Sequence, residues 1–249
     1  MRQHDYQPRG GMALNMGLSG AVMLLLAWNV IFFLLQQVIR SQVHIPTQMG
    51  PISINAVSYY FGLRPVAILE SGWAWQLVTY MFLHGSFMHI LFNMLALWMF
   101  GSQLEGDWGT REFVRYYFFT GIGAGILTVI LLPHQFFPTI GASGAIFGLL
   151  LAYGVSYPNR PIFLYFLFPI PAKYFVIIFG GIELLFGFTG TRTGVAHFAH
   201  LGGIIFGLIY LFLWGFPGGR IGWLRRRRIR QRRSTFQVID FRDPDDRRR

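Results

Sequence analysis

Cysteine is absent from this chain of 249 residues, and acidic side chains number only 10. Without thiols there are no disulfides, no thiolate metal centres and no cysteine nucleophile, so any covalent chemistry must use another group. Charge is short overall: Asp, Glu, Lys and Arg together form 12% of the sequence, about half of the roughly 25% usual in soluble proteins. That leaves too little polar material to clothe a water-soluble globule of this length. In its place stand 53% hydrophobic and 18% aromatic residues and a mean hydropathy of +0.45. The composition predicts an all-α polytopic membrane protein.

Six apolar runs carry the expected spans. Leu18 to Ile39 is 22 residues without a charge, about 33 Å as a helix and enough for a hydrocarbon core of about 30 Å. Arg2 and Arg9 precede it as in a secretory signal, but the run exceeds a signal's apolar region and no small-residue cleavage site follows, so it reads as uncleaved. The second run, Phe87 to Leu104, stops at Glu105, and the third, Phe113 to Leu132, stops at Pro133. The fourth, Ala142 to Tyr157, ends at Pro158; past a proline-rich stretch come Tyr174 to Phe188 and Ala196 to Trp214. The chain thus divides into an N-terminal segment 1–16, a membrane domain 17–215 and a basic tail 216–249.

An even number of spans puts both termini on one side. Eighteen Lys and Arg residues then fall on the face with the termini and 3, Arg40, Arg64 and Arg192, on the other. The positive-inside bias predicts cytoplasmic termini, with the bacterial inner membrane as the expected location. The tail from Arg220 holds 12 of the 21 basic residues. Lying just past the last span, it is expected to fix topology and attract anionic lipid. No basic fold or aromatic platform accompanies it, so nucleic acid is not an expected partner. Asp240 to Arg249 reads as disordered. Ser41 to Glu70, long for a loop and too interrupted for a span, is expected to lie along the outer leaflet.

Polar side chains inside a membrane are costly and tend to mark a site. Here they gather. In His84-Gly-Ser-Phe-Met-His89-Ile-Leu-Phe-Asn93, His89 and Asn93 are four apart and share one helix face at the start of the second span. Ser143 opens the fourth span within Gly141-Ala-Ser-Gly144, and His200 lies near the start of the sixth within Ala196-His-Phe-Ala-His-Leu-Gly-Gly203. These three spans run in the same direction, so groups near their starts share a depth one or two turns below the outer surface. Gly144 with Gly148, and Gly203 with Gly207, give two small faces on which the fourth and sixth helices can pack closely, bringing Ser143 toward His200. Gly121 with Gly125 makes a similar pair in the third span.

A serine hydroxyl needs a base, and a neutral imidazole serves near pH 7. Unpaired backbone N–H groups at the helix start around Ser143 can meet an oxyanion, with His89 and Asn93 as side-chain donors beside them. Glu183 is the one acid expected inside the membrane, and lone membrane carboxylates are more often structural partners or protonated. The expectation is a dyad of Ser143 and His200 without a third member.

The three segments HGSFMHILFN, GASGAIFG and AHFAHLGG together resemble the rhomboid family of intramembrane serine proteases, over roughly Trp73 to Gly207. The resemblance implies a six-transmembrane-helix rhomboid-like bundle, Ser143 as nucleophile, His200 as base, His89 and Asn93 as oxyanion contributors, and His84, Gly141 and Gly144 as supporting residues. It also implies that His200 rather than His197 is the catalytic histidine of its pair. Trp75-Gln76 resembles the family's Trp-Arg pair with Gln in place of Arg, which leaves an arginine-dependent role of that loop unsupported. The activity implied is hydrolysis of peptide bonds in or beside the transmembrane helices of protein substrates, with no cofactor and no metal. A bond must be locally extended to be attacked, so helix-breaking and small residues are expected near the cut.

Each residue has a plainer reading. Ser143 could cap its helix, and His89, Asn93 and His200 could bond neighbouring helices. A metal site built from His84, His89, His197 and His200 lacks a carboxylate or HExxH pattern. A non-catalytic rhomboid-like protein that binds and escorts membrane helices would be expected to lack Ser143 or His200, and a transporter to show inverted repeats.

Overall fold

A computed structural model describes residues 20–45, 50–164, 167–189 and 197–215. The N-terminal segment 1–16, the arginine-rich tail 216–249 and the start of the sixth run at Ala196 lie outside the described residues.

Each apolar run read from the sequence forms a helix over most of its described residues. Helix α1 spans Gly20–Val38. A loop region with two short strands, β1 (Gln42–Ile45) and β2 (Ile52–Asn55), and three short helices, α2 (Ala56–Phe61), α3 (Pro65–Ser71) and α4 (Gln76–Thr79), follows. Next come α5 (Phe87–Ala96), a π-helical turn at Leu97–Gly101 and α6 (Ser102–Trp108), which run on as one rod, then α7 (Thr110–Leu131) and α8 (Ser143–Ser156). A second hairpin, β3 (Pro161–Leu164) with β4 (Phe168–Pro171), leads into α9 (Ala172–Thr189), and α10 (His197–Trp214) completes the bundle. Among the described residues, four helical stretches are long and apolar enough to cross a membrane: Gly20–Val38, Phe87–Trp108, Thr110–Leu131 and His197–Trp214. The protein is an all-α polytopic membrane bundle, and among the described residues its strands form two connecting hairpins.

The second span corrects the sequence reading. It does not stop at Glu105 but continues to Trp108, and Glu105 is buried within it. Its two oxygens accept the N–H groups of Ala21 at 3.1 Å and Val22 at 3.0 Å, and the Thr110 hydroxyl at 2.7 Å. The carboxylate thus satisfies donors that the first turn of α1 cannot bond internally, at the end where the helix dipole is positive. Glu183 is therefore not the sole acid inside the helices.

Helix α8 is the central rod. Ala145, Leu149 and Ala152 are fully enclosed, and α5, α7, α9 and α10 all pack against it. With 14 residues it is only about 21 Å long, against a hydrocarbon core of about 30 Å. A helix that short leaves at least one of its ends inside the hydrocarbon layer, and Ser143 stands at one of those two ends.

The segment expected along the outer leaflet is more ordered than a loop. In its hairpin Gln42 pairs with Asn55 and Ile45 with Ile52. The Asn55 side chain then caps α2 by accepting the N–H groups of Val57 and Ser58. Leu63 and Thr139 exchange two backbone hydrogen bonds of 2.9 Å, which tie this segment to the approach to α8. Gln76 is fully buried here: its Oε1 accepts the Arg64 N–H at 2.9 Å and its Nε2 donates to the Tyr60 carbonyl at 3.1 Å. An arginine does occupy the loop, from Arg64, whose guanidinium lies 3.8 Å over the Tyr59 ring and whose Nε donates to the Phe136 carbonyl.

Candidate functional site

The site forms where α8 and α10 touch. A methyl group at Gly203 would overlap the Gly144 carbonyl, and one at Gly207 would come within 2.9 Å of Leu151 and 3.5 Å of the Gly148 Cα. The two glycine faces therefore meet, and backbones approach as closely as small residues allow. The third pair serves elsewhere: Gly121 lies against Met81, and Gly125 against Leu77 and Tyr80.

Across this seam Ser143 Oγ and His200 Nε2 are 2.7 Å apart, a hydrogen bond between residues 57 positions apart. Ser143 is the first residue of α8, and its hydroxyl is turned to His200. Phe147, one turn further along α8, stacks on the His200 imidazole at 4.4 Å and 12° and so fixes the plane of the ring. Its spacing of four from Ser143 was the signal that sequence reading passed over.

Donors surround the hydroxyl. The first intrahelical bond of α8 is Ile146 N to the Ala142 carbonyl at 3.1 Å, so the N–H groups of 143–145 have no helical partner. Gly141 sits at φ 128°, a conformation that side chains oppose, and donates its N–H to the Tyr80 carbonyl. A Cβ there would lie 2.8 Å from His89 Nε2 and 3.6 Å from Ser143 Oγ, so His89 comes close beside the serine only because residue 141 has no side chain. His89 Nδ1 accepts the Gly85 N–H at 3.3 Å, which leaves the ring proton on Nε2, the nitrogen near the serine.

The remaining predicted residues are placed differently. Asn93 is buried on the same face as His89, but its amide nitrogen donates to the His89 carbonyl at 2.7 Å, within its own helix. His84 is buried in the turn before α5, edge-on to His89 at 5.0 Å, and its backbone N–H is held by the Gln36 side chain of α1. Burial, reinforced by the neighbouring His89, lowers the His84 pKa to about 3 against an opposing backbone hydrogen bond at Phe82.

The sequence offered no acid close to His200 along the chain, and the structure brings one to it from α9. Glu183 Oε1 lies 3.0 Å from His200 Nδ1, within ion-pair reach though the ring is turned off the line of a hydrogen bond, and Glu183 Oε2 lies 2.6 Å from His197 Nδ1. The residues are 14 and 17 positions apart in sequence. They meet because α9 and α10 pack side by side, which no local spacing reveals. An imidazole with a hydroxyl on one nitrogen and a carboxylate by the other can take and return a proton.

A polytopic helical bundle with a part-buried serine at the start of its central helix, bonded to a histidine of the neighbouring helix, defines a class of membrane-embedded protein capable of nucleophilic chemistry. Residues 71–215 match the family model for the Rhomboid domain. Rhomboid protease GluP of Bacillus subtilis is 36% identical over 159 residues, covering 63% of this chain and 29% of that protein. Rhomboid protein 1, mitochondrial, of Saccharomyces cerevisiae is 35% identical over 135 residues, 52% of this chain and 38% of the relative. RHOMBOID-like protein 4 of Arabidopsis thaliana is 29% identical over 189 residues, 72% and 43% of the two chains. The chain thus spans less than half the length of each of these relatives. It belongs to the rhomboid family, a family with members named as proteases, and is an integral membrane protein.

Proposed function

We propose that the chain is an intramembrane serine endopeptidase that cuts peptide bonds in or near the transmembrane segments of membrane-protein substrates. The observation that carries this reading is the 2.7 Å contact between Ser143 Oγ and His200 Nε2. In the first step the serine proton passes to Nε2 while Oγ bonds to the scissile carbonyl carbon and its π pair moves to oxygen. Backbone N–H groups of 143–145 and the His89 Nε2–H are the donors aimed at that oxygen, and Asn93, whose amide has a second N–H beside the one bonded to the His89 carbonyl, can join them. Collapse expels the amine, which takes the proton from Nε2. A water deprotonated by the same nitrogen then hydrolyses the ester and returns the hydrogen to Ser143.

Both termini lie in the cytoplasm of a bacterial cell on this reading, with the arginine-rich tail against anionic lipid headgroups. Substrates with helix-breaking and small residues near the cut are the preferred ones. The test is labelling of the detergent-solubilised protein by a fluorescent fluorophosphonate. Wild type is expected to label, while Ser143→Ala and His200→Ala are not; equal labelling of all three removes the catalytic reading.

A further inference from the structure

The reaction above uses His200 through Nε2 and leaves open what holds the ring's other nitrogen. For Nε2 to accept the serine proton, a neutral imidazole must carry its hydrogen on Nδ1. That is the atom facing Glu183 Oε1 at 3.0 Å. The second carboxylate oxygen is bonded to His197 Nδ1 at 2.6 Å, which holds the group beside His200. Glu183 belongs to a helix whose adjoining residues Ile182, Leu184 and Leu185 are exposed and apolar, whereas Glu183 itself is buried. A carboxylate placed in such a helix is expensive unless partners compensate it, and its partners here are two imidazoles.

We propose that Glu183, clamped between His197 and His200, is the positioning residue of the serine–histidine pair, fixing the His200 tautomer and stabilising the imidazolium formed when Ser143 is deprotonated. This rests on the peptidase reading of Ser143 and His200. Glu183 touches neither Ser143 nor the reacting bond and takes no proton in any step: the imidazolium carries one N–H to the leaving amine and keeps the other against the carboxylate. Phe147 sets the plane of the ring and Glu183 its rotation within that plane. The present contact is close but not aligned, and such bonds tighten when substrate or a charged intermediate is present.

The test uses the full chain in detergent micelles, comparing wild type with Glu183→Gln, Glu183→Asp and Glu183→Ala. The maximal rate of inactivation by a fluorophosphonate and its half-saturating concentration are measured, alongside the thermal midpoint. Glu183→Gln and Glu183→Ala are expected to lower the maximal rate about 100-fold with the half-saturating concentration little changed, and Glu183→Asp to recover part of the loss. Proton NMR of the 15N-histidine-labelled wild type, taken after its reaction with the fluorophosphonate and at a pH where His200 is charged, is expected to give a strongly downfield Nδ1–H signal from His200, a readout that does not depend on any Glu183 variant folding. Maximal rates within threefold of wild type in Glu183→Gln, a loss confined to the half-saturating concentration, or no downfield signal overturns the proposal. A wild type that does not label at Ser143 brings down the peptidase reading and this role together. A wild type that labels while Glu183→Gln matches it brings down this role alone.

Discussion

Glu105 and Glu183 are both carboxylates buried within apolar helices, and they sit toward opposite ends of the bundle. Glu105 lies near the end of the rod that begins beside His89, 16 residues away or about 24 Å along the helix. Among the described residues it accepts from two backbone N–H groups and a threonine hydroxyl, donors that do not change protonation in the working range. Glu183 meets two imidazoles, groups that do. The same side chain at similar burial is a fixed anchor in one corner and a partner to proton chemistry in the other, so the partners and not the acid decide the use.

The largest effect is expected from separating the two helices that hold the reacting pair. Gly203→Leu would drive a branched side chain into the Gly144 backbone, and overpacking of this kind typically costs about 1–3 kcal/mol or more. Fluorophosphonate labelling should vanish and the thermal midpoint drop, both read on one detergent-purified sample; unchanged labelling would show that the seam does not set the Ser143–His200 distance.

Next comes a swap of the two acids. Glu105→Ala leaves the Ala21 and Val22 N–H groups without their acceptor, at about 1–3 kcal/mol for each buried orphan. It should lower the thermal midpoint yet leave the labelling rate per folded molecule intact, whereas Glu183→Ala should do the reverse. Identical profiles for the two variants would erase the distinction between anchor and proton partner.

Phe147→Ala removes the ring stacked on His200, a contact worth about 1 kcal/mol. The labelling rate should fall several-fold with stability reduced modestly, and a rate equal to wild type would assign the ring's orientation to Glu183 alone.

The smallest effect concerns pH. His84 is held neutral down to about 3, while in the unfolded chain an imidazole protonates near about 6.5. Above the unfolded value His84 contributes no pH dependence. As pH falls from there toward about 3 the unfolded state binds a proton that the folded state refuses, and stability declines. Thermal midpoints from pH 7 to 4 should fall less steeply in His84→Phe than in wild type; parallel curves would place the acid sensitivity elsewhere.

The helices were legible because uncharged runs of membrane length have few alternatives, and the glycine spacings foretold the α8–α10 seam because close backbone approach needs small residues. Ser143, His89 and His200 were legible as costly polar groups at the starts of like-directed helices. Glu105 was misread because a charge at the end of an apolar run looks like a boundary, and only the α1 terminus, 84 residues away in sequence, shows why the helix continues through it. Glu183 and Phe147 were missed for different reasons. Phe147 lies one turn from Ser143 but looks like lipid-facing aromatic material, while Glu183 depends on how α9 leans on α10. The hairpins, short and built on loop sequence, carry no apolar periodicity long enough to read.

The brevity of the central rod has a geometric consequence. Each residue added to or removed from α8 upstream of its buried middle would turn the serine through about 100° and move it about 1.5 Å along the axis. Insertions there cannot be absorbed gradually as they are in a surface turn. On the peptidase reading proposed above, the register of one fourteen-residue cylinder would act as a ruler for where a guest helix is cut, adjustable by insertion only in steps of about a whole turn.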